Sequence, residues 1–371
     1  DTGTATNDVL TISDTAAAGN NFNNQSITSA GFETVNINTG SNATPQTINV
    51  VTIIADATNV PVALNFTGAN AVTIAAPNSN SSALFSIDAS GLTAQPTGTA
   101  TFTNAAPTFA GVTGTVSIKG SAGDDTLFGH TTIANTIVGG AGADAITGGA
   151  AADVLNGEAG KDTIVGGGGN DTISGGDGND TITVTTGTVN VDAGAGDDIV
   201  NMGATLTAGD TVIGGDGNDT LTLSTTAVTA SLAVGVSGFE TLTFDATGGA
   251  TQDMVQFQNN STFTRLNFGS TPLNTSAFSN VGALVTTLGL PDVAVTGATV
   301  TRLVNAANDV LNIKIAATAA RTVTGLSIAH EDTVSIDTGT NVLGDLAITT
   351  LTADAIKSLT ITGAGDVLIP N

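Results

Sequence analysis

Between residues 120 and 222 a single large aliphatic residue returns at intervals close to multiples of nine. Almost everything between is Gly, Asp, Asn, Ala or Thr. The aliphatic positions are Leu127, Ile146, Leu155, Ile164, Ile173, Ile182, Val200 and Leu221. A helix would need apolar residues three and four apart, and none recur that way. One inward aliphatic flanked by Thr fits a strand of about three residues. The glycine-rich half of each unit reaches positive φ at no steric cost and makes the turn. The pattern therefore predicts strand, turn, strand, turn. Two nonapeptides form one rung of a flattened right-handed spiral, a parallel β-roll.

On either side of this tract the pattern changes to alternation of apolar and polar residues, the signature of half-buried strands. Candidate strands before it are Gln46–Ala55, Val60–Phe66, Ala71–Ala75, Ser82–Ile87 and Gly114–Ile118. Pro45, Pro61, Pro77, Pro96 and Pro107 restrict which of them are central. After it come Ser231–Phe244, Phe263–Phe268, Val293–Val304, Asn308–Ile315, Leu346–Leu351 and Lys357–Thr362. Thr352–Ser358 reads as a short helical turn. The unit Gly31-Phe32-Glu33-Thr34-Val35-Asn36-Ile37 returns as Gly238-Phe239-Glu240-Thr241-Leu242-Thr243-Phe244, and more weakly at His330–Ile336. Residues 1–11 hold a decayed copy of the nonapeptide, Gly3 to Leu10. Spacing near twenty residues suggests solenoid rungs in the flanks, with a β-sandwich as the alternative. The expected fold is all-β: a roll over 119–222, a β-rich segment 1–118 before it and another, 223–371, after it.

The consensus of the repeat is GGxGxDxUx, with U the aliphatic. Clear copies are Gly139–Thr147, Gly148–Asn156, Gly157–Val165, Gly166–Ser174 and Gly175–Thr183, with looser ones starting at Gly120, Ala193 and Gly214. Rungs of a parallel spiral lie about 4.7–4.9 Å apart, so an Asp at position six sits over the Asp one rung earlier. One column holds Asp125, Asp144, Asp162, Asp180 and Asp198; the opposite one holds Asn135, Asp153 and Asp171. Asp219 belongs to a further site past the irregular 201–213 segment, with Asp210 a weak copy opposite. Stacked carboxylates repel unless neutralised. Carboxylates with turn carbonyls form an oxygen cage that suits Ca²⁺ over softer metals. Counting gaps between adjacent rungs gives about six ions, four in the first column and two in the second. A flexible Gly/Asp linker would not explain the aliphatic at position eight. A metal-free solenoid would leave the columns unexplained.

Composition narrows the rest. The chain of 371 residues has no Cys, Trp or Tyr, which excludes disulfides and thiolate chemistry. Its net charge is −25, from 32 acidic and 7 basic residues. Residues 120–222 contribute 15 of the acids against one base, Lys161. Such a surface will not hold nucleic acid through phosphates. An anionic membrane would repel it unless Ca²⁺ bridged the two, and no apolar run approaches the roughly 18 residues of a spanning helix. The chain does not begin with Met, shows no signal peptide, and reads as a piece of a longer protein.

Catalytic patterns are not met. A zinc protease helix needs two His one turn apart with a Glu. Only His130 and His330 exist, and His330-Glu331 lacks the second ligand. Gly235-Val236-Ser237-Gly238-Phe239 fails the nucleophile-elbow pattern at its last position, and no Lys completes a phosphate loop. His130 reads as an exposed loop residue. The pairs Asp124/Asp125 and Asp197/Asp198 read as a calcium ligand beside a solvated neighbour rather than an acid–base pair. Asn42-Ala43-Thr44 is a chance glycosylation sequon in so Asn- and Thr-rich a chain. The chain is expected to have no catalytic residues.

The nonapeptides resemble the RTX (repeats-in-toxin) calcium motif. The Gly-Phe-Glu-Thr units, Asn308–Ile313 and Ala355–Thr362 are similar to RTX-type surface-layer proteins of Gram-negative bacteria, which form a two-dimensional crystalline coat. The resemblance implies type I secretion, extracellular Ca²⁺-dependent folding, and self-association into a lattice. It also implies attachment to lipopolysaccharide through an anchoring domain, and neither that domain nor a secretion signal is recognisable in these residues. Two other readings fit the repeats: a segment of a calcium-dependent RTX adhesin, and the carrier domain of a secreted RTX enzyme.

Overall fold

The computed structural model describes residues 8–13, 25–40, 46–54, 61–69, 71–74, 77–79, 84–93, 102–104, 112–203, 206–223, 235–244, 251–257, 260, 262–269, 276–281, 284–290, 298–302, 310–315, 321–323, 326–329, 333–338, 346–348, 351–353, 357–362 and 367–368. The fold is an all-β parallel solenoid; its one helical element among the described residues is the 3₁₀ turn Met254–Gln256. No described helix is long and apolar enough to cross a membrane. The chain divides into two compact units, Asp1–Asp198 and Ile199–Asn371, a division that falls inside the repeat tract.

In the first unit two parallel sheets run from the flank into the roll without a change of principle. One stacks Val9–Ser13, Thr34–Asn38, Val62–Gly68, Leu84–Leu92, Thr115–Lys119, Asn135–Ala141, Val154–Ala159, Thr172–Asp177 and Asn190–Ala195. The other stacks Gln25–Ala30, Gln46–Ile54, Val72–Ile74, Phe102–Asn104, Thr126–Phe128, Ala145–Gly149, Thr163–Gly167 and Thr181–Thr183. The register explains the nine-residue period. Leu127, Ile146, Ile164 and Ile182 stack on one wall, and Ile137, Leu155, Ile173 and Val191 on the other. All eight are buried. Burial of each such side chain contributes about 1.5–3 kcal/mol, so one aliphatic per nonapeptide supplies the core of a very thin domain. Towards the N-terminus Val35, Ile37, Leu64, Phe66, Phe85 and Ile87 continue it.

The turns are held so close that only glycine fits. Gly160 has φ +142°, and a Cβ there would lie 1.7 Å from the Gly142 carbonyl oxygen; one at Gly178 would lie 1.8 Å from that of Gly160. These glycines are 18 residues apart, one rung each.

In the second unit the rungs lengthen and gain a third wall. Ile199–Gly203, Thr220–Leu223, Thr241–Phe244, Arg265–Phe268, Thr287–Leu290, Val310–Ile315, Thr333–Asp337 and Ser358–Thr362 form one parallel sheet. Thr251–Asp253, Ser276–Val281, Ala298–Arg302, Leu326–Ala329 and Leu351–Ala353 form a second. A third consists of Arg321–Val323, Leu346–Ile348 and Val367–Leu368. A wider rung has more interior to fill, and Phe does so. Phe278 lies 6.1 Å from Phe244 and 4.8 Å from Phe268, ring centre to ring centre.

Both flanks therefore adopt the solenoid alternative, and no sandwich pairing occurs among the described residues. Two expectations change. Of the helical turn expected at Thr352–Ser358, the first two residues lie in the strand Leu351–Ala353 and Ser358 begins Ser358–Thr362, residues 354–356 lying outside the described residues. The expected strand Leu346–Leu351 is two strands on different walls. The start of the decayed nonapeptide (Gly3–Asn7), Asn42–Thr44, Asn308–Asp309 and His330–Asp332 lie outside the described residues.

Candidate metal centre: two carboxylate columns

Each repeat turn delivers its sixth residue to the inner corner of the spiral, where the next strand starts. Asp125, Asp144, Asp153, Asp162, Asp171, Asp180 and Asp198 are all at most 2% exposed. Within each column they are joined by one repeated bond, in which a backbone N–H donates to the carboxylate of the residue one rung later. In the first column Asp125 donates to Asp144 Oδ1 at 2.8 Å, Asp144 to Asp162 at 2.8 Å, Asp162 to Asp180 at 2.8 Å and Asp180 to Asp198 at 2.7 Å. In the second, Asn135 donates to Asp153 Oδ1 at 2.7 Å and Asp153 to Asp171 at 3.0 Å. The structure thus brings together Asp125, Asp144, Asp162, Asp180 and Asp198 on one side and Asn135, Asp153 and Asp171 on the other. Asp219, in the second unit, is fully buried, and its N–H donates to Glu240 Oε2 at 2.9 Å. Asp210 is buried and braces its own turn, accepting the Thr207 N–H at 2.6 Å.

One oxygen per carboxylate is satisfied by this ladder. The second oxygen, Oδ2, of Asp144, Asp162, Asp171 and Asp180 is buried and accepts no hydrogen bond. Leaving a buried carboxylate oxygen unsatisfied is costly. Burial accordingly pushes the carboxyls of Asp144 and Asp180 up to about 7 and that of Asp171 up to about 6. It raises Asp153, Asp162 and Asp198 in the same direction. The incoming amide bonds pull each of these down, and neighbouring carboxylates push Asp144, Asp171, Asp180 and Asp198 further up. The residues fit a divalent, oxygen-seeking cation: buried, stacked, anionic and holding oxygens that no donor reaches. No three Asp, Glu or His side chains converge among the described residues. A cage here would pair two carboxylates per gap and complete the shell with turn carbonyls.

Several residues that position the columns carry no repeat signal. Ser121 closes the first column: its hydroxyl donates to Asp125 Oδ1 at 2.8 Å and its N–H donates to Oδ2 at 2.5 Å. Asp124 is more than a solvated neighbour, because its Oδ1 accepts the Ala143 N–H one rung later at 2.8 Å. Asn170 and Asn179 do the same for Thr188 and Asp197, each at 3.0 Å, so position five builds a second, outer ladder. His130 is half-buried rather than an exposed loop residue. Its Nδ1 accepts the Thr132 N–H at 3.1 Å, which requires the ring unprotonated there, and burial lowers its pKa.

The Gly-Phe-Glu-Thr units supply the remaining surprise. Glu33 accepts the Asp8 N–H at 3.0 Å just as Glu240 accepts that of Asp219. Both glutamates sit where the repeat would place its aspartate, immediately before a Thr that begins a strand. Asn260 then holds the second unit's turn from outside, its Oδ1 accepting from the Phe239 N–H and its Nδ2 donating to the Phe239 carbonyl, both at 2.8 Å. The signal was present in the sequence: Asn7-Asp8-Val9-Leu10 and Asn218-Asp219-Thr220-Leu221 each precede one of these units by one rung.

A family model described as "RTX calcium-binding nonapeptide repeat (4 copies)" matches residues 108–131, 131–164, 156–188, 174–204 and 207–224. The chain therefore carries calcium-binding RTX repeats, and the matched residues are those that form the two columns. No curated protein and no solved structure matches the chain.

Proposed function

We propose that this chain is a structural, non-catalytic subunit of a bacterial surface layer, exported by type I secretion, in which calcium folds the roll and the flanking rungs make the contacts of a two-dimensional lattice. The observation that supports it is that in the first unit flank and roll share the same parallel stacking, and the second unit is likewise built of parallel rungs. In the first unit the strands from Val9–Ser13 onward pair in parallel into the roll, and in the second parallel rungs repeat through to Ser358–Thr362. Their outer faces are Thr-, Asn- and Ser-rich, and only 11% of the chain is charged, which leaves repetitive, weakly charged surfaces for self-contact.

Bound calcium supplies a divalent charge that neutralises a carboxylate pair and bridges two rungs. The chain does the rest. Without that neutralisation the columns hold buried like charges and the roll is disfavoured, a state compatible with passage through a narrow exporter. Outside the cell, affinities of about 10⁻⁴–10⁻³ M match the extracellular range, and binding free energy becomes folding free energy. Attachment to the cell would use lipopolysaccharide through a domain other than the described rungs.

The test is a calcium titration of the EDTA-treated protein, followed by circular dichroism and by light scattering with negative-stain microscopy. Gain of β signal together with ordered sheets is the expected result. Gain of β signal in a protein that stays monomeric at all concentrations overturns the lattice and favours an adhesin segment or carrier domain.

A further inference from the structure

The second column begins with an asparagine, and its geometry differs from every aspartate beneath it. Asn135 is 2% exposed. Its Nδ2 lies 2.8 Å from Asp153 Oδ1, 2.9 Å from the Ile133 carbonyl and 3.1 Å from the His130 carbonyl. Its Oδ1 accepts the His130 N–H at 2.6 Å. This network fixes the orientation of the amide. Turned over, the side chain would set its oxygen against three acceptors and its nitrogen against a donor. Two turn carbonyls and a carboxylate around one point make up the donor set expected of a cation in this roll, and here an uncharged NH₂ group occupies that point. The lower gap differs: Asp171 Oδ2, beneath Asp153, accepts no hydrogen bond.

We infer that the Asn135–Asp153 gap takes no calcium, because the Asn135 carboxamide stands in for the ion. The inference rests on the calcium reading of the columns and corrects its arithmetic: the second column has one ion gap, not two, and the two columns hold five rather than about six. It also gives the second column a first step closed by its own side chains. Asn135 begins the strand Asn135–Ala141, which pairs with the flanking strand Thr115–Lys119 on one side and Val154–Ala159 on the other. On this wall the step from Asn135 to Asp153 is therefore closed before calcium arrives, while the Asp125–Asp144 gap in the opposite column still takes an ion.

The test is equilibrium dialysis of the full chain against radiocalcium at saturation, for the wild type, Asn135→Asp and Asn135→Ala. Asn135→Asp restores the carboxylate pair and gains one ion per chain. Asn135→Ala removes the amide but no ligand, so its ion count stays at the wild-type value while its thermal midpoint in saturating calcium falls. Failure of Asn135→Asp to gain an ion, or loss of one in Asn135→Ala, overturns the inference. A wild type that takes up no calcium overturns the reading of the columns as well, so the two failures are distinguishable.

Discussion

Asp162 is the most informative single position in the roll, because it stands between two neighbours of its own kind. Its Oδ1 accepts the Asp144 N–H and its own N–H reaches Asp180 Oδ1, both at 2.8 Å, and the side chain is fully buried. Asp162→Ala therefore removes a carboxylate from two gaps at once. At calcium tenfold above a site's Kd, each lost site withdraws about 1.4 kcal/mol of stabilisation, so two withdraw about 3 kcal/mol. The Asp144 N–H, left buried without its acceptor, adds about 1–3 kcal/mol. The total, about 4–6 kcal/mol, is comparable with the whole stability of a small domain. The loss has a signature. Without calcium the variant also sheds a buried carboxylate whose charge is disfavoured there, so the deficit shrinks in EDTA. A merely structural role would give the same deficit with and without the ion. Radiocalcium dialysis should show two fewer ions, and thermal unfolding should show a far larger deficit in calcium than in EDTA. Asp177→Ala, which removes an exposed carboxylate from the same unit, is the charge-matched control. If Asp162→Ala keeps the wild-type count, or loses no more stability than Asp177→Ala, the columns do not hold calcium as argued.

The raised carboxyls set the pH dependence. A folded-state value of about 6–7 against 3.8 ordinarily means the calcium-free roll is most stable below pH 3.8 and loses that stability as pH rises through 6–7. Acidifying EDTA-treated protein from pH 7.5 to 4.5 should raise its β signal by circular dichroism, and the calcium midpoint should rise on acidification as protons compete; loss of β signal over that window would contradict the assignment. Glu240→Ala should destabilise the second unit by about 1–3 kcal/mol by orphaning the Asp219 N–H, whereas Glu240→Gln keeps an acceptor and most of the stability; equal losses in thermal melts would place the effect elsewhere. Gly160→Ala should cost about 1–3 kcal/mol from φ alone, and more from its collision with the Gly142 carbonyl. Gly168→Ala, at ordinary φ and with only the Thr186 hydroxyl 3.1 Å away, should be far milder in the same calcium-saturated melt.

The fold was readable where one physical constraint governs each position. The aliphatic at position eight must fill a thin core, and glycine must occupy turns where backbone lies on backbone, so period and register followed from the sequence. The shortest walls of the second unit were not readable, although its longer strands such as Arg265–Phe268 and Val310–Ile315 were. A wall of three residues such as Arg321–Val323 or Leu351–Ala353 is too short to show alternation, and only its pairing reveals it. At the two ends of the helical turn expected at Thr352–Ser358, local composition allowed either state, and parallel pairing with Leu326–Ala329 and with Thr333–Asp337 decided for strand. At the site, the columns emerged from arithmetic, but arithmetic treated Asn135 as equivalent to Asp. The two side chains have nearly the same size and opposite meaning for a cation, because one presents an oxygen where the other presents an NH₂.

Rung length and the residue that closes the gap go together. Where a rung is 18 residues long, Asp lies over Asp, and the short side chain reaches the preceding amide with one oxygen left over for a cation. Between Asp8 and Glu33 the rung is 25 residues, and between Asp219 and Glu240 it is 21; there the longer glutamate takes the amide. The extra methylene lets a carboxylate span a wider turn. At the head of the second column an amide closes the gap by itself. The same kind of backbone-to-carboxylate bond thus recurs in the roll and in rungs outside its regular repeats. On the function proposed above, the steps closed by stacked aspartates depend on calcium, and the step closed by the Asn135 amide does not.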